Sequence, residues 1–187
     1  MNICDVVITC LPSPSISASV MEGADGLLNS IKPNKVWMEM STTDEAEVKR
    51  LGALVKNKGG QPVDCPVSGG CHRADTGNIS IFAGCERETF EFIFPLLKKM
   101  GRRILHTGPL GSASILKVLT NYLATANLIT CSEALVVAKA AGMDLNTTYE
   151  AVSYTHLRAH ETLMNLVCRL LLEKNNALRG SGWTWLQ

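Results

Sequence analysis

Short apolar runs alternate with amphipathic segments over the first 110 residues of the chain. Five strands are predicted from β-branched and other apolar residues, at residues 5–10, 35–40, 62–67, 79–84 and 103–107. The first run ends at a proline, as a buried parallel strand does where it enters a loop. Between the first two strands there is room for a helix and a turn, which would complete a βαβ crossover. The alternation predicts an α/β sheet.

Helix start and stop signals lie between these strands. Glu45 follows Thr42 by three residues, and this capping box predicts a helix that begins at Thr42. Residues 86–100 have the apolar spacing of an amphipathic helix, which Gly101 ends. Both segments therefore fit helices that cover the sheet.

The pattern changes at Ser112. Residues 112–141 contain neither proline nor glycine and repeat apolar side chains at a helical period, which predicts one long, mostly buried helix. A further helix, capped at Asp144 or Asn146, follows it. The change from alternating elements to continuous helix predicts a domain boundary near residues 108–111.

Composition and charge narrow the possible partners. The chain has 187 residues, of which 46% are hydrophobic and 19% charged, enough for one ordinary core. Its net charge is +1 and its basic residues are dispersed, so no nucleic-acid partner is predicted. The apolar window at residues 118–132 is interrupted by polar residues and is shorter than the roughly 20 residues of a membrane span, so no membrane partner is predicted.

The seven cysteines are odd in number and contain no C-x-x-C pair, which predicts neither a zinc site nor a disulfide framework. The N-terminus has no basic region or cleavage site typical of a signal peptide. Reduced thiols and a cytoplasmic location are therefore expected.

The loops after the first three predicted strands are the places to look for a ligand site, because ligands bind at the carboxyl ends of parallel strands. They read "LPSPS", "STTDE" and "PVSGG". In the third, Ser68, Gly69 and Gly70 offer a hydroxyl and main-chain amides that can surround a carboxylate. Taken singly, each loop is also an ordinary turn sequence.

A lysine inside the long apolar helix is the other candidate. Lys117 shares a helix face with Asn121, four residues later. Partial removal from water lowers the pKa of a lysine, which suits it to exchange a proton with a substrate hydroxyl. On spacing alone, a lysine that extends its ammonium to solvent near a helix start is the simpler interpretation.

Four motifs in order resemble the β-hydroxyacid dehydrogenases, the family of 3-hydroxyisobutyrate dehydrogenase and tartronate semialdehyde reductase. The motifs are "DVVITCLPSP", "EMST", "DCPVSGG" with "TGNISIFAG" after it, and "GPLGSASILKVLTNYL". The resemblance covers residues 5–152 and rests on the four blocks together. It implies the carboxyl-terminal part of a Rossmann-like parallel sheet, followed by the start of an all-α domain.

On the cofactor side, the resemblance implies NAD or NADP. It implies that Leu11 and Pro12 line the nicotinamide and that Thr42 contacts the cofactor. The choice between the two dinucleotides is left open.

On the substrate side, the resemblance implies that Ser68, Gly69 and Gly70 hold the carboxylate of a small hydroxy acid. It also implies that Lys117 is the general acid/base and that Asn121 binds substrate. An intact parent protein would be a homo-oligomer.

The sequence departs from the family pattern in several places. Ala113 replaces a glycine and Cys65 an alanine, and both small side chains are expected to be tolerated. The sequence contains no G-x-G-x-x-G, the motif that holds the pyrophosphate, so we expect the chain alone to bind a dinucleotide poorly and to be an inactive fragment. The first strand would lack sheet neighbours, which favours aggregation.

The last residues are expected to differ in origin from the rest. Residues 153–187 leave the family pattern and are predicted to be a non-native tail. His156 and His160 lack the glutamate of H-E-x-x-H, so no metal site is predicted. The domains are then residues 1–110, a partial dinucleotide-binding domain; residues 111–152, the start of the helical domain; and the tail.

Three functions remain open from the sequence. The first is an NAD(P)-dependent oxidoreductase of 3-hydroxy acids or their semialdehydes. The second is a non-catalytic binding or assembly module with the same fold, in which Lys117 is structural. The third keeps the enzyme but changes the substrate to an imine or a 2-hydroxymethyl acid.

Overall fold

The computed structural model describes residues 4–153. The predictions about His156, His160 and all of the tail beyond Ser153 lie outside the described residues. The chain divides into two compact units between Asn121 and Tyr122. The predicted domain bounds stay a prediction.

The first unit contains a six-stranded sheet. Its strands are β1 (Val6–Thr9), β2 (Val36–Glu39), β3 (Gln61–Asp64), β4 (Val67–Ser68), β5 (Ser80–Gly84) and β6 (Arg103–Gly108). The helices of the chain are α1 (Pro14–Glu22), α2 (Glu45–Asn57), α3 (Gly70–Asp75), α4 (Arg87–Met100), α5 (Ser112–Ala140) and α6 (Leu145–Val152), with a 3-10 turn at Leu27–Asn29. The predicted α/β fold is confirmed.

Strands β1, β2 and β3 are parallel and in register, so that Thr9, Glu39 and Asp64 are partners across the sheet. Strand β5 runs antiparallel to β3 and β4 and pairs in parallel with β6. The sheet is therefore mixed. The antiparallel step follows from the short connection through α3, which turns the chain back beside the strand it has just left.

Side chains that alternate along β2 build two cores. Val36 and Met38 face a cluster that includes Ile93 and Leu97 of α4. Trp37 faces the opposite way. It packs in a cluster with Met21 of α1 and with Val48, Leu51 and Val55 of α2. All four residues of β2 are buried, which explains its nearly continuous apolar sequence.

The prediction of one strand at residues 62–67 is wrong in detail. The ladder stops after Asp64, and Val67–Ser68 forms a separate strand that pairs with β5. Cys65 and Pro66 separate the two, and proline has no N–H with which to continue a ladder. The short helix α3 that follows was not predicted, because its sequence has the glycines of a loop.

The predicted cap of α2 is also wrong. Asp44, not Thr42, caps the helix, since its Oδ1 accepts a hydrogen bond of 2.8 Å from the Glu47 amide. Aspartate accepts such a bond at least as well as threonine. The helix α6 begins in the same way at Asp144, one of its two predicted caps.

Helix α5 has the predicted bounds within one residue, but it is not mostly buried. Its apolar residues with more than half of their surface exposed are Val118, Leu119, Tyr122, Leu123, Ile129, Val136 and Val137. In the second unit, Cys131 and Leu135 pack with Leu145 and Tyr149 of α6. The spacing of apolar residues predicts that one face of a helix is apolar, but it does not predict whether other segments cover that face.

By length and composition, Ser112–Ala140 could also span a membrane. Core helices of soluble proteins meet the same criterion, so this observation is weak evidence for a membrane span. The expectation that the protein has no membrane partner stays a prediction.

Candidate functional site

The carboxyl ends of three neighbouring strands lie side by side. The Met40 amide donates to the Thr9 carbonyl over 2.7 Å, and the Cys65 amide donates to the Glu39 carbonyl over 2.7 Å. The loops after β1, β2 and β3 therefore begin at one edge of the sheet, the edge at which open α/β sheets bind ligands. The predicted site residues fall in these loops and in α5.

The loops on the predicted cofactor side are joined by hydrogen bonds. The Leu11 amide donates to Ser41 Oγ over 2.7 Å, and the Ser41 amide donates to Glu39 Oε1 over 2.9 Å. Ser41 is 2% exposed and Glu39 is fully buried. The loop after β1 is thus held against the loop after β2. Ser41 lies within the "EMST" motif but is not among the predicted site residues.

The side chains next to this junction are open to a ligand. Leu11 is half-buried, and Pro12 and Thr42 are exposed. An apolar surface with a neighbouring hydroxyl fits the nicotinamide end of a dinucleotide. For the pyrophosphate, the sequence offers no G-x-G-x-x-G. The chain's residues therefore fit part of the cofactor.

The predicted carboxylate loop requires its glycines. Gly69 and Gly70 have φ angles of 135° and 73°, which side chains with a Cβ rarely adopt. A Cβ on Gly69 would lie 2.9 Å from Cδ of Arg73. Ser68 ends β4 opposite Ser80 and is half-buried. The role of this loop in binding a carboxylate stays a prediction.

Lys117 lies in the second turn of α5 and is half-buried. Burial lowers the pKa of its ammonium. Within residues 4–153, no hydrogen bond or ion pair of that ammonium is present to oppose the shift. Asn121 follows one turn later on the same face and is exposed. A lysine of this kind can lose its proton more easily than an ordinary surface lysine.

A buried carboxyl group connects the start of this helix to the sheet. Asp64, the last residue of β3, accepts a 2.7 Å hydrogen bond from the Ser114 amide and a 2.8 Å bond from Ser114 Oγ. Both residues are fully buried. Burial raises the pKa of the Asp64 carboxyl, and the hydrogen bonds from Ser114 oppose that rise. Asp64 lies within the "DCPVSGG" motif, but neither Asp64 nor Ser114 is among the predicted site residues.

The structure thus places the predicted residues around one end of the sheet in the first unit. Leu11 and Thr42 are brought together through Ser41. Lys117 is joined to β3 through the start of α5, and the carboxylate loop begins four residues after Asp64. In the part of the chain that the structure describes, no hydrogen bond joins the side chain of Lys117 to the carboxylate loop.

The two substitutions relative to the family pattern lie in the core. Ala113 and Cys65 are both fully buried. Burial raises the pKa of the Cys65 thiol, so it remains protonated at neutral pH. A group of three metal-ligating side chains is absent from residues 4–153.

Two family descriptions match the chain. Residues 1–108 match the NAD binding domain of 6-phosphogluconate dehydrogenase. Residues 111–176 match the NAD-binding region of NADP-dependent 3-hydroxyisobutyrate dehydrogenase. Together the matches give NAD or NADP as the family's cofactor.

Individual relatives agree with these matches. The chain is 31% identical to 2-(hydroxymethyl)glutarate dehydrogenase of Eubacterium barkeri, over 83% of the chain and 52% of the relative. The solved structure of 3-hydroxyisobutyrate dehydrogenase from Mycobacterium tuberculosis with L-serine is 26% identical, with a TM-score of 0.75, over 82% of this chain and 52% of that one. The chain spans about half the length of these dehydrogenases.

A third relative has a different kind of name. The cytokine-like nuclear factor N-PAC of Homo sapiens is 25% identical over 94% of the chain and 31% of the relative. A sequence similar to this chain therefore also occurs in a protein whose name is not that of a dehydrogenase.

Proposed function

Since the chain belongs to the β-hydroxyacid dehydrogenase family, we propose that the whole protein oxidises a 3-hydroxy carboxylate, or reduces its semialdehyde, with NAD or NADP. By the whole protein we mean this chain with any further residues that its gene encodes. The family confirms the resemblance inferred from residues 5–152. The observation that carries the proposal is a half-buried lysine with a lowered pKa in a helix attached to the ligand-binding edge of the sheet.

In the proposed reaction a bound nicotinamide would supply the acceptor for the hydride that leaves the carbinol carbon of the substrate. Lys117 Nζ takes the proton of the hydroxyl, which becomes a carbonyl oxygen, and returns the proton in the reverse direction. Ser68, Gly69 and Gly70 hold the carboxylate, and Asn121 orients the substrate. Leu11 and Pro12 line the nicotinamide and Thr42 contacts the cofactor. These residues supply orientation and proton transfer, while the redox chemistry belongs to the cofactor.

A substrate panel tests this function. The whole protein is incubated with NAD+ or NADP+ and, in turn, 3-hydroxyisobutyrate, L-serine and 2-(hydroxymethyl)glutarate, compounds named with its relatives. Formation of the reduced nicotinamide is followed by absorbance. We expect turnover of at least one of them with one dinucleotide preferred. Absence of turnover with all three, in a folded protein that binds the dinucleotide, would contradict the 3-hydroxy acid assignment.

A non-catalytic binding or assembly module is the second candidate, and the N-PAC relative favours it. In that case Lys117 has a structural role. The substrate panel then gives no turnover, and replacing Lys117 changes stability or assembly only.

The two directions of the proposed reaction should respond to pH in opposite ways. Oxidation needs Lys117 as a neutral base, so its kcat should rise as the pH increases through the lowered pKa of Lys117. Reduction needs the protonated lysine, so its kcat should fall over the same range. The measurement is kcat against pH in both directions under saturating substrate. Two profiles that rise together would contradict the assignment of Lys117.

The 187-residue chain alone should bind the dinucleotide weakly, because no pyrophosphate motif is present in its sequence. Calorimetric titration with NADH and NADPH should give no saturable binding at micromolar concentrations. The whole protein, titrated in parallel, serves as the control. Saturable binding by the chain alone would show that its own loops hold most of the cofactor.

A further inference from the structure

Asp64 and Ser114 connect two elements that are 50 residues apart in the sequence. Ser114 is the third residue of α5, where helix amides have no partner within the helix. The Asp64 carboxyl takes the place of a capping side chain, because it accepts hydrogen bonds from both the amide and the hydroxyl of Ser114. A residue of β3 thus caps the helix that carries Lys117.

Because Ser114 and Lys117 belong to the same helix, the contact of Ser114 with Asp64 also determines where Lys117 lies. Lys117 follows Ser114 by three residues, so the two side chains lie on the same face, one turn apart. The face is defined by burial, since Ala113 and Ser114 are fully buried whereas Ile115 and Val118 are 45% and 52% exposed. Fixing Ser114 therefore fixes both the rotation of α5 about its axis and the height of Lys117 above the sheet.

A close approach on the other side restricts the same helix turn. A Cβ on Gly84, at the end of β5, would lie 2.9 Å from Ser112 Oγ and 3.2 Å from the Ala113 amide nitrogen. Ser112 Oγ is also 2.7 Å from Thr107 Oγ1. The start of α5 therefore has little freedom to shift along the strand ends while Asp64 holds it.

We propose that Asp64 and Ser114 are positioning residues of the reaction, which place the Lys117 ammonium by capping α5 from the end of β3. This inference rests on the proposed role of Lys117. Neither residue has to touch substrate or cofactor, because both are buried below the first turn of the helix. Their contribution is to the geometry of proton transfer, where a displacement of about 1 Å can cost roughly 100-fold in rate.

Two variants and a matched control test the proposal in the whole protein. Ser114→Ala removes the hydroxyl group and its hydrogen bond to Asp64, and it leaves the hydrogen bond from the backbone amide of residue 114 in place. Asp64→Asn removes the charge and replaces one acceptor oxygen with an NH2 donor, although the backbone amides of Gly111 and Ala113 as well as Ser114 donate to this carboxylate. The control is Thr147→Ala, because Asp144 accepts hydrogen bonds from the amide and the hydroxyl of Thr147 at the start of α6 in the same way.

Two readouts separate positioning from stability. The first is kcat and KM on the best substrate of the panel. The second is the pKa of Lys117, measured without substrate from the pH dependence of its labelling by an amine-reactive reagent and peptide mass spectrometry. Because labelling needs no turnover, it remains informative even if the protein proves not to be a hydroxy acid dehydrogenase.

We expect Ser114→Ala to lower kcat about 10-fold or more, with KM changed less than about threefold, and to raise the pKa of Lys117 toward its ordinary value. Asp64→Asn should change both quantities in the same direction as Ser114→Ala, whereas Thr147→Ala should preserve both. Unchanged kcat and labelling in Ser114→Ala would overturn the proposal. If that variant does not fold, a folded Asp64→Asn protein with unchanged kcat and unchanged labelling of Lys117 would overturn it as well.

Discussion

Replacing Lys117 with methionine should lower kcat/KM of the whole protein by about 100- to 10,000-fold, the usual contribution of a positioned acid or base. Methionine keeps the length and apolar stem of lysine but cannot take the hydroxyl proton. The expected loss is in kcat, because the substrate carboxylate is proposed to be held by Ser68, Gly69 and Gly70 instead. The measurement is steady-state turnover in both directions of the reaction.

The stability of the same variant is informative. Burial lowers the pKa of Lys117, so the ammonium is destabilised in the folded state relative to the unfolded chain below that pKa. This cost disappears as the pH rises through the folded pKa toward the unfolded value. Lys117→Met should therefore leave stability at neutral pH equal to or above that of the parent. The matched control is Lys99→Met, on an exposed position of α4, which should alter neither activity nor stability. Full activity in Lys117→Met would remove the residue from the reaction.

Replacing Trp37 with alanine should cost about 3–5 kcal/mol of the free energy of unfolding. Trp37 is fully buried and packs against side chains of α1 and α2. Its Nε1 donates a 2.9 Å hydrogen bond to Thr9 Oγ1, so it also joins β2 to the end of β1. Alanine would remove the packing and leave a cavity that the rigid sheet cannot close.

The two contributions of Trp37 can be separated. Trp37→Phe keeps an aromatic ring and loses the bond to Thr9, which should cost about 1–2 kcal/mol. Urea unfolding of the whole protein, followed by circular dichroism, gives the free energy for each variant. Equal losses in the two variants would mean that the hydrogen bond, and not the buried ring, accounts for the stabilisation.

Local patterns were sufficient for most elements of the fold. The strand at β2 and the end of α4 at Gly101 depend on neighbours in the sequence, and both are predicted correctly. The break after Asp64 was missed because Cys65 and Val67 are apolar and read as one run with Val63. Which face of α5 is covered also depends on other segments, and its apolar composition gave no information on that point.

In the candidate site, too, residues within local motifs could be predicted from the sequence, whereas contacts between distant segments could not. Ser68, Gly69 and Lys117 are predicted as site residues because they lie in motifs whose residue types suggest chemistry. Asp64 and Ser114 form a pair only after the chain has folded, and no pattern within either segment indicates the other. An aspartate at the end of an apolar strand was the one available signal, since a buried carboxyl group must find a donor.

Glu39 is a buried carboxyl group at the ligand-binding edge of the sheet. In the part of the chain that the structure describes, its Oε2 is buried without a hydrogen-bond partner, while Oε1 holds Ser41. Such an unpaired oxygen lowers the free energy of unfolding, because the oxygen loses its hydrogen bonds to water when the chain folds. Selection for thermostability alone should therefore favour apolar replacements at Glu39, and the variants obtained would withstand heating while the loops after β1 and β2 separate. Thermostability and cofactor affinity would then change in opposite directions in a single substitution.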